Sequence, residues 1–193
     1  MNEITVGFAV TGSFCTFEKA FVQMERLASH GFRILPIFSE NAATVNTRFG
    51  QAADWVTRAE TICGRQVLRT LTDVEPIGPK GWTDVMLVAP CTGNTAAKLA
   101  QNVIDTPVTL AVKSHLRTGR PVVLALSTND ALSGSAENIG VLMNRRHYYF
   151  VPMRQDAPKS KPRSVVADFD QIEETVHAAL NGQQLQPIML PPL

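Results

Sequence analysis

Short polar side chains recur in this chain wherever an apolar run stops. Thr11-Gly12-Ser13 follows the run at 4–10, Ser39-Glu40-Asn41 follows 32–38, Cys91-Thr92-Gly93-Asn94 follows 86–89, and Ser127-Thr128-Asn129-Asp130 follows 122–126. Hydroxyls, carboxamides and the free N–H groups of a starting helix are what hold a phosphate, because a first helical turn carries unsatisfied donors and positive potential. The same residues are also the best N-caps, each worth about 1 kcal/mol to its helix. Any one of these turns is better explained by capping alone, whereas four on one sheet edge are better explained as a pocket. Neither a GxGxxG turn nor a GxxxxGK[ST] loop occurs, which points away from a dinucleotide and towards a mononucleotide.

Other reactive side chains give weaker signals. Cys91 stands beside a helix start, a position that lowers a thiol pKa, although a buried, inert cysteine is equally common there. His30, His115, His147 and His177 show no paired-ligand spacing, so the sequence offers no metal centre. Arg145-Arg146 could reach an acidic substrate or a neighbouring protomer, and Lys159, Lys161 and Arg163 read as a solvated loop.

The elements that must position these groups follow from hydrophobic period. Met86-Leu87-Val88-Ala89 is an unbroken apolar run, the mark of a strand buried on both faces, and Pro90 is expected to end it. Phe17, Phe21, Met24, Leu27 and Ala28 recur three and four apart, so a helix reaches His30 and stops at Gly31. The run at 32–38 contains Pro36, which favours a sheet edge. Further helices are expected over 48–62, from Thr106 with Pro107 in its first turn, over 136–145 and over 168–180, with short strands at 67–68 and 148–151. Helix-length crossovers between strands imply a parallel α/β sheet, which would place all four polar turns on its carboxyl edge. Residues 152–167 read as an exposed loop and 182–193 as an extended, Pro-rich, apolar tail suited to an interface between protomers.

With 193 residues, 45% apolar, 18% charged and a net charge of +1, the chain fits a single domain and offers no electrostatic surface for nucleic acid. Its low charged fraction points to surface covered in a homo-oligomer. Three cysteines, the lack of a basic leader and the absence of a membrane-length apolar run fit a cytoplasmic protein.

Gly12-Ser13 after the first strand, Ala89-Pro90-Cys91-Thr92-Gly93-Asn94-Thr95 with Lys98-Leu99-Ala100, and the strand at 121–125 with its following Asn129 together resemble the flavoprotein family that includes phosphopantothenoylcysteine decarboxylase and the flavin prenyltransferases. The resemblance covers nearly the whole chain. It implies a flavodoxin-like (Rossmann-like) three-layer sandwich, FMN at the strand carboxyl ends, and trimers or dodecamers. Carried over by position, Gly12, Ser13 and Ser39 match residues around the phosphate and ribityl chain. Cys91, Thr92, Asn94 and Thr95 match the turn beside the isoalloxazine, and Ser127, Thr128 and Asn129 the second flavin and substrate loop.

Two departures from the family pattern matter. Residues 72–82 lack the histidine that the decarboxylases carry before the central strand, and Gly93 stands where alanine is usual. Decarboxylation of the cysteine type is therefore not expected. Within the family the resemblance implies oxidation and dehydration of 4-hydroxy-tetrahydrodipicolinate to the dipicolinate of bacterial endospores, with an A subunit that uses NADP or NAD. Asn94 and Asn129 would orient the substrate, and Arg145 or Arg146 would meet its carboxylates. Two alternatives stand beside this: an FMN-dependent decarboxylase using Asp73 or Glu75 as its acid, and a non-catalytic flavin-binding regulatory protein.

Overall fold

A computed structural model describes residues 3–192. Five parallel strands form the body of the sheet: β1 (Thr5–Val10), β2 (Arg33–Phe38), β3 (Val85–Cys91), β4 (Val122–Thr128) and β5 (Tyr148–Phe150) lie in the order 2-1-3-4-5. Alternation along each strand assigns its side chains to two cores. Val6, Phe8 and Val10 of β1 with Val85, Leu87 and Ala89 of β3 meet the helices α1 (Phe17–Ser29), α3 (Ala52–Cys63) and α8 (Ile172–Leu180). Met86 and Val88 with Leu124 and Leu126 meet α5 (Gly93–Ala100), α6 (Pro107–Leu116) and α7 (Ala136–Met143). Two short helices, α2 (Glu40–Thr44) and α4 (Leu71–Val74), complete the set.

Local chemistry explains most boundaries. Gly31 takes φ +89°, a conformation open to glycine, and the N–H groups of Gly31 and Phe32 return to Ala28 O and Leu27 O to close α1. Thr106 caps α6 by accepting from Thr109 N at 3.1 Å, with Pro107 at the first helical position as expected. Pro36 is tolerated in β2 because it faces away from β1. Its carbonyl accepts from Leu68 N at 2.9 Å, so the N–H it lacks would have pointed off the sheet edge. Residues 67–68 contribute one bridge there, Ile37 to Leu68, rather than a strand.

Two expectations are corrected. Pro90 does not end β3: the strand continues to Cys91, and the β3–β4 register slips between Val88 and Cys91, the irregularity by which a sheet absorbs a residue without a donor. Residues 152–167 are not simply a loop. They contain β6 (Met153–Arg154) and β7 (Val165–Ala167), an antiparallel pair in which β7 joins Ser127 and Thr128 at the end of β4. The tail packs on its own chain, with Met153 N donating to Ile188 O and Leu190 N to Met153 O, both at 2.9 Å. The carboxamide of Gln184 bonds both the N–H and the C=O of Phe150 at 2.7 Å.

Candidate functional site

Chain direction reverses between β1 and β3. From β1 the chain crosses to β2 on one side, and from β3 it crosses to β4 on the other, so a crevice opens between the two carboxyl ends. Thr11, buried in this gap, fastens the two strand ends together. Its hydroxyl donates to Pro90 O at 2.8 Å and accepts from Thr92 N at 3.1 Å. The crevice is a cleft of about 350 Å³ lined by Thr11, Gly12, Ser39, Glu40, Asn41, Thr92, Asn94, Thr95, Lys98 and Thr106.

Each predicted turn contributes in a different way. The Thr92 hydroxyl caps α5, accepting from Thr95 N at 3.1 Å, and leaves the Gly93 and Asn94 N–H groups of the first turn free of intrahelical acceptors. Ser39 caps α2 by accepting from Ala42 N at 3.3 Å. Ser13 and Ser127, 114 residues apart, meet Oγ to Oγ at 2.8 Å, with Thr16 Oγ1 3.5 Å from Ser127. Asn129 is exposed, and its Oδ1 accepts from Ser164 Oγ at 3.3 Å. Thr128 and Ser135 both donate to Asp130 Oδ1, the latter at 2.8 Å, and these two bonds hold the Asp130 carboxyl below the usual range. This hydroxyl and carboxylate cluster rests on Gly93. A Cβ there would lie 2.5 Å from Ser135 Oγ and 2.7 Å from Thr128 Oγ1, so the space of the usual alanine methyl is filled by polar atoms.

Four predicted residues are placed elsewhere or turned away. Cys91 is fully buried on the α5 and α6 side of the sheet, where burial pushes its thiol up to about 12. It does not line the cleft, and its sulfur does not serve as a nucleophile. Arg145 reaches the far end of α5, donating to Leu99 O at 3.0 Å and Ala100 O at 2.6 Å. Both Arg145 and Arg146 precede β5 and so lie at the amino edge of the parallel sheet, opposite the cleft. Asp73, considered as an acid, is occupied in capping: Oδ2 accepts from Thr70 N at 2.9 Å and Arg69 N at 3.1 Å.

Sequence reasoning overlooked Lys98, whose Nζ bonds both oxygens of Asp105 at 2.7 and 2.8 Å while its side chain lines the cleft. It lies four residues after Asn94, on the same helix face, and that spacing was the available signal. Among the described residues, no group of three or more His, Cys, Asp or Glu side chains could hold a metal ion, and no helix is long and apolar enough to cross a membrane. The donor set is hydroxyls, helix-start N–H groups and one lysine. It suits a phosphate-bearing mononucleotide, whose extended body a cleft of this size can accept.

The parallel sheet with its cleft at the strand carboxyl ends is that of a flavodoxin-like α/β protein, and the chain belongs to the Flavoprotein family, whose model matches residues 1–180. It is 43% identical over 185 residues to the B subunit of dipicolinate synthase from Bacillus subtilis (strain 168), an alignment covering 96% of this chain and 92% of that one. The crystal structure of the dipicolinate synthase B subunit from Bacillus halodurans C superposes with a TM-score of 0.91 at 40% identity, covering 100% of both chains. Burkholderia xenovorans DmrB, a cubic cage solved in complex with FMN, shares the fold with a TM-score of 0.68 at 17% identity, covering 93% of this chain and 97% of that one.

Proposed function

We propose that this chain is the flavin-binding component of a two-chain dipicolinate synthase, holding FMN in the cleft between the ends of β1 and β3. The observation that carries the reading is the composition of that cleft: Gly12, Ser39, Thr92, Asn94 and Lys98 converge there, and no dinucleotide turn does. The resemblance to the dipicolinate synthase B subunit over nearly the whole chain supports the substrate.

In this reading Gly12, Ser13 and Ser39 surround the phosphate and Thr92, Asn94 and Thr95 border the ring. Bound FMN supplies a two-electron acceptor at the sheet edge. The chain's own part is to bind, orient and shield. Ser127 and Thr128 close the second wall, and Asn94 and Asn129 direct their carboxamides at 4-hydroxy-tetrahydrodipicolinate while it loses water and two electrons. With Arg145 and Arg146 at the opposite edge, other cations must meet the substrate carboxylates. Lys98 lines the cleft but is held by both oxygens of Asp105, which leaves Lys159 and Arg163 in the β6–β7 loop for this role. That loop is braced beside Asn129 by Leu132 N donating to Arg163 O at 3.0 Å and by Ser164. The A subunit of dipicolinate synthase would supply the nicotinamide chemistry.

The test has two arms. Purified protein should carry the visible absorbance of oxidised flavin, or take up added FMN, and dipicolinate should form only after the A subunit is mixed in. Colourless protein that ignores FMN refutes the cofactor. Product from the isolated chain refutes the division of labour.

A further inference from the structure

Among the described residues that line the cleft between β1 and β3, only Glu40 and Lys98 carry charge. Glu40 stands in the first turn of α2, and its carboxylate repels an anion. Lys98 is therefore the one side chain of the lining that can meet a phosphate with opposite charge. Its ammonium is fixed in place, with Nζ donating to Asp105 Oδ1 at 2.8 Å and to Oδ2 at 2.7 Å. Asp105 is fixed in turn, because the next residue, Thr106, is the N-cap of α6 and accepts from Thr109 N at 3.1 Å. An ammonium has three N–H donors, and the two carboxylate oxygens take two of them. The third has no acceptor among the described residues, on a side chain that is 25% exposed.

Stability does not account for this ion pair. The Asp105 side chain is 53% exposed, and a pair so open to water adds little to folding. Its effect is to hold a long side chain in one position at the cleft, which removes the cost of ordering it when a ligand binds. We propose that Lys98 is the residue by which the cleft selects a phosphorylated flavin over the unphosphorylated one, donating its third N–H to the phosphate, with Asp105 as its positioning residue. The inference rests on the FMN reading above and adds which side chain recognises the phosphate. The hydroxyls of Ser39 and Thr92 serve a sugar-alcohol chain as readily as a phosphate, whereas an ammonium bond to a phosphate is charge-assisted and roughly twice as strong as a neutral one.

The experiment measures Kd for FMN and for riboflavin on the intact chain freed of bound flavin, by quenching of flavin fluorescence, for wild type and Lys98→Met. Methionine keeps much of the stem and removes the charge and the donors, and circular dichroism checks that the variant folds. The expected result is that wild type prefers FMN and that Lys98→Met weakens FMN about tenfold or more while leaving riboflavin unchanged. A second measurement needs no substitution: raised salt should weaken FMN binding to wild type and spare riboflavin. An unchanged ratio of the two affinities in folded Lys98→Met, an equal loss of both, or an equal response of both flavins to salt overturns the role of Lys98 and leaves the cleft reading standing. Wild type that takes up neither flavin overturns both.

Discussion

Replacing Gly93 by alanine isolates the packing between the β4 turn and the start of α5. Helix propensity alone predicts a gain, since glycine is about 1 kcal/mol worse than alanine within a helix and Gly93 has no positive φ to lose. Packing predicts the opposite. The new methyl would meet Ser135 Oγ at 2.5 Å, Thr128 Oγ1 at 2.7 Å and Asp130 Oδ1 at 3.0 Å. These are short side chains tied to one another by hydrogen bonds, with little freedom to swing aside. Overpacking of this kind costs about 1–3 kcal/mol, so after the propensity gain the net effect is a loss of up to about 2 kcal/mol. In a chain of this length that lowers Tm by up to roughly 8 °C. Thermal unfolding followed by circular dichroism reads the stability, and FMN titration reads the displacement of Asn94. Ser135→Ala removes the closest clash, so the double variant should be more stable than the two single losses added together. If Gly93→Ala raises Tm and leaves FMN affinity unchanged, the polar cluster does not fill the methyl's space and the account of this position is wrong.

His115 is buried, with Nδ1 2.8 Å from Thr83 Oγ1 and Nε2 3.0 Å from Pro121 O, and burial pulls its pKa down to about 4. Its folded pKa lies below the unfolded value, so its contribution is fully present above about pH 6.5 and is lost as pH falls through 4. That amounts to on the order of 3 kcal/mol, and His115→Gln should flatten the pH dependence of urea unfolding across this window. Thiol titration at neutral pH should find exposed Cys15 reactive while Cys63 and Cys91, both pushed up to about 12 by burial, react only after unfolding. Arg145→Ala should cost about 1–3 kcal/mol in thermal unfolding through the lost bonds to Leu99 and Ala100 carbonyls, whereas Arg146→Ala should be near neutral. Neither should change substrate KM, and a raised KM in either would return the arginines to the substrate.

The parallel sheet and its polar edge were legible because buried strands announce themselves as apolar runs and each ends in capping residues. That Ser13 and Ser127 touch follows from the strand order, which no local pattern encodes. The face that Cys91 takes was not legible for a definable reason. Strict alternation puts it on the face of Ala89, but the register slip beside Pro90 turns it to the face of Met86 and Val88. The strands β6 and β7 escaped notice because they are short, lie among prolines and lysines, and exist only through pairing with the end of β4. Arg145 looked like a substrate ligand since nothing near it in sequence showed the helix carbonyls it serves.

Gln184 performs a small task with a large consequence. The N–H and C=O of Phe150 face outward from β5, the kind of open rim to which a strand of any other molecule can attach. A single carboxamide has the same donor and acceptor spacing as one peptide unit, and here it occupies that rim as a counterfeit strand of one residue. Ile188 and Leu190 do the same for Met153 with true backbone. The C-terminal segment thus closes this edge of the sheet to the addition of a further strand.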